Sequence, residues 1–133
     1  MGQQQLLLLV LAAVIVGISV VVGFNMFSSS AVQSNQDAIV QHVMTIGAKA
    51  QEWYRKPAAM GGGGQSFTGL TLAALNVSPS NVDADTLFIA PTATDVTVTA
   101  VGKEDGDGDG TNVTVQAVFD KDGVKTNLAV TNK

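Results

Sequence analysis

Residues 6–23 read LLLLVLAAVIVGISVVVG, an unbroken apolar run inside a longer stretch without charge. The first ionisable carboxylate or base in the chain is Asp37, and the first basic residue is Lys49. Crossing the hydrocarbon core of a bilayer takes roughly 20 apolar residues at ~1.5 Å of helical rise each. Residues 6–27 therefore read as a membrane-compatible helix. The MGQQQ start lacks the basic residues of a secretory leader, and Phe24-Asn25-Met26-Phe27 lacks a small-residue exit. The segment is expected to be retained rather than cleaved. With no Lys or Arg at either flank, the positive-inside rule assigns no orientation.

The pattern changes after Ser28 without a stop signal. Ala31, Val32, Ile39, Val40, Val43, Ile46, Gly47, Ala50, Trp53 and Tyr54 recur at helical spacing, with Asp37, Gln41, Lys49, Glu52 and Lys56 on the remaining surface. That is one apolar face of an amphipathic helix. Ser28-Ser29-Ser30 either caps a fresh helix or bends a continuous one. A continuous helix of some 50 residues, about 75–80 Å long, is the expectation. Pro57 ends it, because the residue before a proline is pushed out of helical backbone. So long an apolar stripe is expected to seek other helices.

Beyond it, residues 57–133 form a small unit near the lower limit for a self-sufficient core. The chain has 133 residues and no cysteine, so disulfides cannot staple it. Its net charge of -4, without a Lys/Arg cluster, argues against nucleic acid as a partner. Gly61–Gly64 reads as a flexible joint. Phe67–Leu75 is expected to make a helical turn or two, or a strand. Asp95–Val101, Asn112–Phe119 and Val124–Thr131 alternate Val with Thr, Gln and Ala, which marks strands with one wet face, and Leu87–Ala90 makes a short fourth. Asp122-Gly123 supplies a hairpin turn. The fold expected is α+β: a long N-terminal helix, apolar then amphipathic, over 1–56, and a small antiparallel sheet in a head over 57–133.

Chemistry-bearing residues are few. His42 is the only histidine, with no nucleophile or carboxylate placed around it by spacing, so an enzyme is not expected. The four glycines at 61–64 follow a helix and lack the Gly-Lys-Ser/Thr end of a phosphate loop. Asp105, Asp107 and Asp109 alternate with Gly106, Gly108 and Gly110, and aspartates at first, third and fifth places with Gly at the sixth are how a calcium loop gathers hard oxygens. The twelfth place is Gln116 in a predicted strand, which rejects an EF-hand and leaves two readings, a looser Ca2+ loop or a hydrated acidic hairpin. Asn76-Val77-Ser78, with Pro79 after it, and Asn112-Val113-Thr114 match the N-glycosylation sequon.

The MGQQQLLLLVLAAVIVGISVVVGF start and its amphipathic continuation to Lys56, followed by a β-rich head, resemble a type IV pilin or pilin-like filament subunit. The resemblance implies an oily half-helix that holds the subunit in membrane before assembly and then packs with copies of itself in an extracellular filament on the cell surface. It implies neither cofactor nor catalysis. Met1-Gly2 would be a vestigial leader, and cleavage after Gly2 would put Leu7 where pilins carry a glutamate. The alternative is a single-pass, membrane-anchored accessory or minor pilin-like component of a secretion or pilus apparatus.

Overall fold

The computed structural model describes residues 2–82 and 84–132, so Met1 and Lys133, which open and close the two segments drawn from the sequence, lie outside the described residues. One helix, α1 (Gly2–Arg55), is followed by four strands: β1 (Thr86–Pro91), β2 (Asp95–Val101), β3 (Thr114–Asp120) and β4 (Val124–Thr131). The strands form a single antiparallel sheet in chain order. The fold is α+β, one long N-terminal helix and a four-stranded antiparallel C-terminal sheet, an architecture consistent with pilin-like proteins in general. The chain divides into two compact units, Met1–Ala31 and Val32–Lys133. Ser28–Ser30 lies within α1 and begins no new helix.

Within the second unit, the core is built between the amphipathic part of α1 and one face of the sheet. Ile39, Val43, Ile46 and Ala50 from the helix are buried with Val96, Val98 and Ala100 of β2 and Val115, Ala117 and Phe119 of β3. The two spacings, three to four on α1 and two on the strands, each place these side chains on one face. From Ile39 to Ala50 the apolar stripe packs on the sheet of its own chain, because alternation in the strands leaves an apolar face that fits it.

Two features set how closely helix and sheet approach. Gly47 lies on the buried face of α1, and a methyl group there would overlap the ring of Phe119. Asn35, buried on the same helix, accepts a hydrogen bond from the Lys103 N–H through Oδ1 at 3.1 Å. A polar residue in this position fixes the register of helix on sheet, since a buried acceptor must meet a donor. Asn35→Ala is expected to cost about 1–3 kcal/mol of unfolding free energy, read by urea denaturation.

Gly61–Gly64 is not a flexible joint. The Gly63 N–H donates to the Trp53 carbonyl at 2.8 Å, Gly64 to Lys56 at 3.0 Å, and Gln65 to Tyr54 at 2.8 Å. The run folds back over the end of α1 and satisfies carbonyls that a helix terminus leaves open. A Cβ at Gly62 would strike the Lys56 carbonyl, and one at Gly63 the Trp53 ring. Close approach, not freedom, is what glycine supplies here. Phe67, fully buried, then stacks at a tilt on Tyr54 with ring centroids 4.7 Å apart. Residues 72–76 make a hydrogen-bonded turn, closed by Val77 N–H to the Leu72 carbonyl at 3.0 Å.

Candidate functional site

Among the described residues, most of the exposed large apolar side chains lie on the apolar half of α1. Its large side chains from Leu6 to Phe27 are exposed, with Leu7 at 70%, Phe24 at 73% and Phe27 at 81%. The backbone is satisfied along the helix, and Ser19, the polar side chain in mid-run, donates its hydroxyl to the Ile15 carbonyl at 2.8 Å. Hydrogen bonding to the preceding turn removes the cost of carrying that hydroxyl into an apolar phase. What remains is a smooth, neutral, hydrocarbon cylinder. Monomeric soluble proteins rarely show an apolar patch beyond a few hundred Å2. By length and composition this helix is able to cross a bilayer, a character shared by membrane anchors and signal sequences. Gln3, Gln4 and Gln5 are exposed on the first turns.

The second candidate is the loop between β2 and β3. Its base is pinched shut: Gly102 N–H donates to the Val113 carbonyl at 2.7 Å, Val113 N–H to Glu104 at 2.9 Å, and the Asn112 side-chain amide to Gly102 at 2.8 Å. These bonds explain why β3 begins at Thr114 and not at Asn112. Above the base, Asp105 accepts hydrogen bonds from the Gly108 N–H through Oδ1 (2.8 Å) and from the Gly110 N–H through Oδ2 (2.7 Å). Asp107 accepts from Asp109 N–H and Asp109 from Thr111 N–H. The chain coils around its own carboxylates, and oxygens of Asp105, Asp107 and Asp109 come within 4.8 Å of one another. Three hard anionic oxygens so placed are a donor set that Ca2+ accepts. Gln116, in the twelfth place, points its amide to the Thr99 hydroxyl at 3.1 Å in the sheet.

The N–H groups of Gly110 and Gly108 hold the Asp105 carboxyl below its ordinary value of 3.8. A lowered carboxyl favours the folded loop only while ionised, so its contribution is present above pH 3.8 and is lost as pH falls through the folded value. Acidification below that range is expected to release the loop, read as faster amide exchange at Gly108 and Gly110 by NMR. In Asp105→Asn those amides should exchange fast at neutral pH as well.

His42 lies half-buried on α1 between Gln41 and the buried Val43. The remaining residues singled out in the sequence, Asn76 and Asn112, lie on separate loops of the second unit. Asn35, a polar position expected on the helix surface, is buried instead, and Gly47, placed on the apolar face by its spacing, owes its identity to a ring that spacing does not reveal. No known protein family, curated protein or solved structure matches the chain.

Proposed function

We propose that this chain is a structural subunit of an extracellular filament, with no catalytic role, held in membrane through residues 6–27 before assembly and packed through the same residues with copies of itself afterwards. One observation carries the reading: the apolar half of α1 is exposed along its whole length, while the amphipathic half is already used inside the chain. A hydrocarbon surface of this kind has two stable environments, lipid and other apolar helices. Small residues at Ala12, Ala13, Gly17, Ser19 and Gly23 allow neighbouring helices to come close. The acidic loop is proposed as a Ca2+ site on Asp105, Asp107 and Asp109. Isothermal titration in millimolar Ca2+ tests it, with saturable heat expected and its absence removing the ion from the account.

The alternative is a lone membrane-anchored component of a pilus or secretion apparatus. Electron micrographs of material sheared from cells separate the two. Filaments whose mass spectrum is dominated by this chain support the filament subunit. Cells that make the chain abundantly yet carry no such filaments support the anchored component.

A further inference from the structure

We propose that Asn76, and not Asn112, is an N-glycosylation site whose first sugar seats in the cleft beside Trp53. Both asparagines open an acceptor sequence, but the fold treats them differently. The Asn112 amide nitrogen is engaged with the Gly102 carbonyl at 2.8 Å at the pinched base of the acidic loop, next to the buried Val113. Attaching a sugar there would break that bond and open the loop's base. Asn76 is exposed, at the end of the 72–76 turn, in left-handed backbone (φ 52°). Asparagine tolerates that conformation better than most residues. Val77 and Ser78 lead away from it towards the Pro79–Asn81 turn.

A second observation points to what Asn76 carries. It lines a cleft of about 190 Å3 whose other walls include Trp53, Lys49, Glu52 and Lys56. This is a space on the scale of one pyranose ring. An indole offers an apolar face for the C–H side of such a ring, and Glu52 and the lysines offer an acceptor and donors for its hydroxyls. Lys49 is steadied over the cleft by the Leu75 carbonyl at 3.5 Å. Trp53 itself is half-buried, with its ring edge against the Gly63 backbone. The asparagine therefore stands at the rim of a sugar-sized groove with an aromatic wall.

The reaction is a group transfer from a lipid-phosphate-linked sugar donor. The Asn76 amide nitrogen forms a bond to C1 of the sugar, and the C1–oxygen bond to phosphate breaks. The lipid phosphate leaves with the electron pair, and the amide loses one proton. No oxidation is involved.

The proposal rests on the reading that the sheet-bearing unit is exported. Glycopeptide mapping of the full chain from its native cells is expected to find sugar on Asn76 and none on Asn112. Unmodified Asn76 in every chain, or sugar on Asn112, overturns the assignment. Filaments seen on the same cells decide the filament reading separately, whichever way the mapping falls. Trp53 is the only tryptophan, so its emission reports the seat. Asn76→Gln from the same cells should show red-shifted emission and faster acrylamide quenching than the modified chain. Identical emission and quenching, with sugar present on Asn76, overturns the seating against Trp53.

Discussion

A chain beginning at Ser28 is expected to stay in solution as a folded monomer and to form no filaments. The second compact unit, Val32–Lys133, holds the whole buried core, from Val32 through Phe119. Nothing in that core comes from residues 2–27. Removal of the apolar half therefore takes away no internal packing, and the stability of the remainder should be close to that of the full chain in detergent. It does take away the surface on which assembly is proposed to depend. Each Leu, Ile or Val moved from water into an apolar environment contributes ~1.5–3 kcal/mol, and this segment is made almost wholly of such residues. Analytical ultracentrifugation should give a single species of monomer mass. Filaments of unchanged form from the shortened chain would place their core elsewhere. A single charge has the same direction of effect: Ile15→Asp carries a penalty of about 2.5–3.5 kcal/mol at the middle of a membrane helix.

The second large effect is expected at the other end of the chain. Phe119→Ala should cost about 3–5 kcal/mol of unfolding free energy, a major part of the roughly 5–15 kcal/mol that holds a domain together. Phe119 is 2% exposed and its ring occupies the space that a Cβ on Gly47 would enter. The void left by its ring cannot be filled from Gly47, which has no side chain. The converse substitution, Gly47→Leu, forces a branched side chain into the space the ring holds. Overpacking of this kind typically costs about 1–3 kcal/mol, against which the better helix propensity of Leu returns under about 1 kcal/mol. Urea unfolding followed by Trp53 fluorescence in the Ser28 chain measures both. A loss below about 1 kcal/mol for Phe119→Ala would mean that α1 does not lean on the sheet at this point.

These two sites also show what the sequence discloses. The strands at Asp95–Val101 and Val124–Thr131 follow from alternation alone and have the same bounds in the structure. The short strand gains Thr86 and Pro91, the proline being tolerated at the end of an edge strand where it owes the ladder no donor. The uncharged stretch and Pro57 give α1 its extent to within a residue. Gly47 and Asn35, by contrast, look unfavourable in a helix when only local propensity is considered. Their value comes from Phe119 and Lys103, which lie 68 or more residues away along the chain. The glycine run misleads for the same reason, since freedom in the unfolded chain and close approach in the folded one call for the same residue. The acidic loop is legible in its spacing, because each aspartate serves a backbone N–H two to five residues on. Local chemistry is written locally, and contact across the core is not.

The measurement closest to the heart of the account is a cryo-EM reconstruction of material sheared from the surface of cells making the chain. A helical polymer is expected, its central density a bundle of α1 segments with residues 6–27 in contact only with their counterparts in other copies. Density showing residues 6–27 as solitary spans in a lipid layer would contradict it.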